Sequence, residues 1–387
     1  MSLLSDSLQS KLAIPAAILL SSALVVPGNV LPILAGLFAD NYHINEQLIG
    51  YLVSANTTAA LAVSVTAPWW IARVRLRWLV PAAMTLIAAA VLSLALAPGY
   101  IALLLLELVI GAGAGTIASI CYTVMAQHAD AARAWGVKVM LDVVLAWAFV
   151  KLVPSDRGML LFTTALAIVI GVFGLLGMLL PARAAQRAPD APPLPLRSAP
   201  IGAWLALTVL MVFSIGAAGV WAFVQRLELR AGISAADTSD VFALGLLLGI
   251  TGAIGAALLG NRLGRVVPPS IAGAALVLSV YTMATTHSPT MFSVAFTGLN
   301  TTWCFYLPYM MGLLAARDST SRLSSLANAA LTTGGIVGPT LAGTLIHTSG
   351  YALAMAVQCG LIAAAVMLYV PVAMGSSRNA LRHAAQS

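Results

Sequence analysis

Residues 100–125 read YIALLLLELVIGAGAGTIASICYTVM: twenty-six residues with one charge, Glu107. About twenty apolar residues cross the hydrocarbon core of a bilayer as a helix. A soluble core helix would present a charged face to water, and this stretch has none. The rest of the chain reads the same way. Of 387 residues, 60% are hydrophobic and 8% charged, with mean hydropathy +0.97. Soluble domains carry charge on roughly a quarter of their residues, so the solvent implied here is lipid.

Twelve runs have the length and apolarity of a span: 12–38, 48–70, 79–98, 100–125, 135–153, 158–180, 202–224, 241–260, 270–286, 290–314, 326–347 and 351–374. The fifth carries Lys138, Asp142 and Lys151, and the ninth is short. The first is far longer than the h-region of a signal peptide and has no A-x-A site after it, which predicts a membrane helix. The fold class expected is all-α and integral to the membrane, with twelve transmembrane helices as two six-helix bundles.

The net charge of +7 has a topological reading. With the N-terminus inside and the spans alternating, the inner segments hold Lys11, Arg73, Arg75, Arg77, Arg133, Arg183, Arg187, Arg197, Arg262, Arg265, Arg317, Arg322, Arg378 and Arg382. The outer segments hold only Lys151, Arg157, Arg226 and Arg230, and Lys138 lies within a span. Positive residues are retained on the cytoplasmic side. The asymmetry predicts both termini in the cytoplasm and removes nucleic acid as the reason for the basic pI; the expected location is the cell (inner) membrane.

The inner loop 181–200, PARAAQRAPDAPPLPLRSAP, is rich in proline and alanine and builds no core. It separates a unit at 1–180 from one at 201–387. The halves echo each other. APWWIARVRLRWLVP (67–81) corresponds to ALLGNRLGRVVPP (257–269), and Gly158 to Gly350, at offsets of 190 and 192 residues. Paired six-helix repeats with a solute site near the midplane are a recurrent transporter plan.

At 257–265, ALLGNRLGR resembles the loop signature G-x-L-A-D-R-x-G-R of the major facilitator superfamily. Leu259, Arg262, Gly264 and Arg265 match, and Asn261 stands where the family has Asp. The first-half copy retains Arg75, with Ile71 at the Asp position. In the eleventh run, Gly334, Gly338 and Pro339 belong to a stretch (334–343) similar to the family's G-x-x-x-G-P-x-x-G-G helix motif. In the family's proton antiporters that motif sits in the fifth helix; the fifth run here, VKVMLDVVLAWAFVKLV, lacks it. Glu107-Leu-Val-Ile-Gly111-Ala-Gly113-Ala-Gly115 resembles the family's R-x-x-x-G-x-G-x-G pattern, with Glu107 in place of arginine. The resemblance covers the layout of the whole chain. It implies a secondary transporter that moves a small organic solute by alternating access.

Several residues carry the chemistry. Glu107 lies about 10 Å below the outer helix end at 1.5 Å per residue, and a charge at that depth faces a cavity or a partner. Glu107 and Asp142 are the candidates for proton coupling, although Asp142 and Lys138, one turn apart, also have the spacing to neutralise each other. Asn300, Trp303, Tyr306 and Tyr309 recur every third residue of the tenth run, Trp221 and Gln225 lie a turn apart in the seventh, and Asn29 sits beside Pro27 and Pro32 in the first. These are the candidate contacts to an aromatic or amphipathic solute. Asn261, Arg262, Gly264, Arg265 and Arg75 are the candidate cytoplasmic latch. Gly111, Gly113, Gly115, Gly334, Gly338 and Pro339 are candidate helix-packing positions.

Cys121, Cys304 and Cys359 form no C-x-x-C, and the histidines lack metal spacing. No metal or cofactor is expected. There is no G-x-x-x-x-G-K-[ST], so ATP is not the energy source on this chain, and no catalytic elbow, so no enzyme is expected. The partners expected are the solute, protons and the lipid bilayer, with the chain as a monomer. Two alternatives stay open on the sequence: an uncoupled facilitator, and a receptor or partner-binding protein that keeps the fold without transport.

Overall fold

The computed structural model describes residues 2–71, 73–126, 131–182, 200–260, 262–317 and 326–384. Contacts divide the chain into two compact units, Met1–Ile44 with Leu52–Asp190, and Asn45–Tyr51 with Ala191–Ser387. Residues 183–199 of the proline-rich loop, and Asn261, lie outside the described residues.

The helices of the first unit are α1 (Ser2–Asn29), α2 (Leu31–Tyr42), α3 (Glu46–Trp70, whose start belongs to the second unit), α4 (Leu76–Ser93), α5 (Tyr100–Ala126), α6 (Ala131–Leu152) and α7 (Met159–Gly174). Helix α1 packs on α5 and α6, and α4 packs on α5 and α7. The second unit holds α8 (Ile201–Ala222), α9 (Val224–Arg230), α10 (Ala235–Leu259), α11 (Val267–Thr285), α12 (Pro289–Arg317) and α13 (Ala327–Ala384). There α8 packs along α13, α10 along α12, and α11 against both α12 and α13.

Among the described residues, nine helices are long and apolar enough to cross a membrane. The fifth and tenth runs are not among them. Helix α6 carries Lys138, Asp142 and Lys151, and polar and aromatic residues dilute α12. Outward-facing Leu86, Ile101, Leu105, Ile168, Leu258, Ile271 and Met367 are all more than half exposed. Large aliphatic surface on so many helices is what lipid solvates.

Two expected spans are broken near one end. The first run divides at Val30 (φ −99, ψ 10) between α1 and α2. Its cause is Pro32, which has no N–H to return to the carbonyl of Gly28. The seventh divides at Phe223 (φ −117, ψ 12) between α8 and α9. Val30 and Phe223 are 193 residues apart, close to the sequence offsets. Gly158 (φ 92, ψ 163) and Gly350 (φ 85, ψ 170) adopt almost the same left-handed backbone. L side chains avoid that region. The internal repeat, faint in residue identity, is therefore present in the dihedrals. Gly350 also explains why two runs appear as one: α13 is a pair of helices joined across that glycine.

The small residues account for the closest approaches. A Cβ on Gly111 or Gly115 would overlap the backbone of Asn56 or Ala60 on α3, whereas one on Gly113 would meet the Ile87 side chain on α4. The alternate glycines thus serve two different neighbours. On α13, Gly334 and Gly338 rest on Ser214, Ile215 and Gly219 of α8, and the Pro339 carbonyl abuts Gly50.

Candidate functional site

In the first unit a cleft of about 120 Å³ opens beside the α1–α2 break. Its wall is Pro27, Phe38, Val53, Ile110 and other apolar residues, and its polar groups are Asn56, Thr57 and Glu107. Glu107 is 8% exposed. Asn56 Nδ2 donates to Glu107 Oε2 at 2.6 Å, from α3 to α5. That bond depends on close helices: Gly111, one turn beyond Glu107, lets the α3 backbone at Asn56 come into contact with α5. No Lys, Arg or His pairs with Glu107 among the described residues, whereas Asp142 pairs with Lys138. A carboxyl in such a place can bind a proton or accept a hydrogen bond.

Asp142, the other proton-coupling candidate, sits differently. Its Oδ2 is 2.6 Å from Lys138 Nζ. Lys138 is 3% exposed, and its ammonium lies 5.6 Å from the Tyr122 ring centroid and 6.0 Å from that of Trp135. Asn29, a candidate solute contact, donates to the Asp142 carbonyl at 3.2 Å, and Ser22 Oγ donates to the Lys138 carbonyl at 3.4 Å. The pair is thus held between α1, α5 and α6. Asp142 Oδ1 is buried with no hydrogen-bond partner among the described residues.

In the second unit the aromatic candidates fall into two groups. Trp221 stacks on Phe296 at 6.2 Å and tilts against Phe242 at 6.1 Å. Asn300 joins this group, its Nδ2 donating to the Phe296 carbonyl at 3.0 Å. Trp303 stacks on Phe213 at 5.0 Å, and Tyr306, fully buried, lies between Phe213 and Tyr369. Tyr309 Oη donates to the Gly260 carbonyl at 2.7 Å. Step-three spacing on α12 therefore places its members on different neighbours. Gln225 is buried on α9.

Around the loop signature, Arg262, Gly264 and Arg265 are exposed, as is Arg75 at the start of α4. Gly264 has φ 79. The Arg265 carbonyl accepts from Tyr369 Oη at 2.8 Å, and Arg265 lines a cleft with Pro308, Tyr309 and Gly312.

No protein-family model matches the chain, and no curated protein is similar to it in sequence. Solved structures are similar in fold. A variant of the nucleoside transporter NupG superposes with TM-score 0.76 at 12% identity, over 93% of this chain and 99% of that one. A bacterial homologue of the human lysosomal transporter Spinster, inward-facing and occupied, gives TM-score 0.70 at 14% identity, over 94% of this chain and 96% of that one. Its unoccupied form gives 0.69 at 15% identity, over 97% and 98%.

The chain has the major facilitator fold. Its long apolar helices and this fold make it an integral membrane protein. Within the major facilitator frame, three features escaped the sequence. Asn56 is an unremarkable polar residue until α3 meets α5. Gln358, fully buried on α13, fills the space beside Gly216 and Gly219 of α8. Glu228 lay just past the seventh run, where a charge raises no alarm. Two glycines three apart, in S-I-G-A-A-G, were the available hint for Gln358.

Proposed function

We propose that this protein is a proton-coupled secondary transporter of a small organic solute. Twelve spans in two six-span units, 1–180 and 201–387, joined by the 181–200 loop, move by alternating access. Both termini lie on the cytoplasmic side, with Arg75, Asn261, Arg262, Gly264 and Arg265 as the inner latch. The observation that carries the reading is Glu107: a carboxyl buried in mid-span, bonded by one neutral amide and bordering an apolar cleft. A group so placed changes its charge most readily when the cleft opens to water on one side or the other. Asp142 is a weaker coupling candidate, since its carboxylate is engaged by Lys138. The aromatic groups around Trp221 and Trp303 favour a ring-bearing solute. The likeness to a nucleoside transporter makes nucleosides the first class to assay.

The test is flux in proteoliposomes with and without a pH gradient. The gradient accelerates wild-type uptake, while Glu107→Gln keeps downhill exchange and loses the response. A wild-type flux indifferent to the gradient removes the coupling, and a Glu107→Gln variant that still responds removes the role of that residue.

A further inference from the structure

Glu228 has no exposed surface, and neither carboxyl oxygen has a hydrogen-bond partner of good geometry among the described residues. Thr238 of α10 faces it, but that hydroxyl already donates to the Ser234 carbonyl at 3.2 Å. Three residues back on the same helix, Gln225 is 6% exposed, and its Oε1 is also without a partner. Three acceptor oxygens are thus buried along one short helix without donors. Such groups are costly to bury unpaired, and an ionised carboxylate costs most. One proton changes this: it removes the charge and turns one acceptor into a donor.

The charged surroundings offer no other remedy. Helices α8 and α11 contain no charged residue, and on α10 Asp237 and Asp240 are exposed while Thr238 and Ser239 are buried. On α9 itself, Arg230 lies over the Tyr351 ring at 4.6 Å, and Tyr351 Oη donates to Glu46 Oε1 at 2.8 Å. Arg226 also acts on the Tyr351 hydroxyl. The helix is bounded by the break at Phe223 and by Gly232, whose φ is 86. It is a short helix with a turn at each end.

We propose that Glu228 is a proton-binding site of the second unit, loaded in this conformation and opened to water when α9 swings about Phe223 and Gly232. The site is distinct from Glu107 and does not depend on it. Burial, partly offset by Thr238, raises the Glu228 carboxyl from 4.5 to about 8.

The test is infrared titration of the purified full-length protein, following the protonated-carboxyl C=O band as pH rises. The band attributed to Glu228 disappears near pH 8 in wild type and in Glu107→Gln, and is missing from Glu228→Gln. In Thr238→Val its midpoint moves to higher pH, because the one neighbouring hydroxyl that can turn to favour the charged form is gone. Thermal stability gives a second readout. A raised folded-state value means that wild type loses stability relative to Glu228→Gln as pH climbs from 4.5 to about 8, with no difference in slope outside that window. A band retained in Glu228→Gln together with parallel stability curves overturns the proposal. So does a band abolished by sodium at constant pH, which would make this a metal-cation site instead.

Discussion

Replacing Lys138 with methionine isolates the energetics of the intramembrane pair. The ammonium and the Asp142 carboxylate are 2.6 Å apart, with side chains 4% and 13% exposed. Removing the lysine leaves a carboxylate whose Oδ1 already has no partner. Breaking a buried pair from one side costs about 3–5 kcal/mol, because the remaining charge stays buried. Asp142→Asn is milder. The lysine keeps the rings of Tyr122 and Trp135, worth about 0.5–1 kcal/mol each, and the asparagine still offers an acceptor. Lys138→Met with Asp142→Leu together removes both charges, and well-packed apolar replacements of such pairs are often neutral or stabilising by about 1–4 kcal/mol. The assay is thermal unfolding of the detergent-purified protein. With roughly 2.1 cal/mol/K per residue, a chain of this length moves its Tm on the order of 1 °C per kcal/mol. Lys138→Met is therefore expected at least about 3 °C below wild type by the same conversion, and the double variant close to wild type. Two single losses that simply add in the double variant would refute the reasoning, since additivity means the charges do not interact.

The glycines of α5 separate by neighbour: Gly111→Ala, which meets the Asn56 backbone, costs about 1–3 kcal/mol and reduces pH-driven flux, whereas Gly113→Ala, which meets only the end of Ile87, costs less; unfolding and flux on the same preparations check both. Tyr309→Phe loses the 2.7 Å bond to the Gly260 carbonyl and with it about 1 kcal/mol, read as a lowered Tm without loss of expression.

The segments that need only length and greasiness were legible before any coordinates. Residues 100–125 correspond to α5, Tyr100–Ala126, almost to the residue. Run length could not show the breaks at Val30 and Phe223, because hydropathy is blind to a missing N–H; Pro32 was the available sign for the first. Pairings across helices were equally hidden. Glu107 stood out as a lone charge, but its partner Asn56 is fifty-one positions away and resembles any other polar residue in a span. Lys138 and Asp142 were legible because they share one helix face, where spacing alone fixes distance. The α12 quartet was legible as a set but not in its partners: a three-residue step drifts around a helix of 3.6 residues per turn, and which neighbour each side chain meets depends on the packing.

Gly350 has a consequence for how this chain tolerates change. In an unbroken helix each inserted residue turns everything downstream by about 100°, so a single insertion early in α13 would rotate every later side chain away from its neighbour. At Gly350 the backbone leaves the helical region and starts again, so angular errors made before it need not pass to Tyr351 and beyond. Insertions between residues 327 and 349 should scramble their own helix and leave the final one in register.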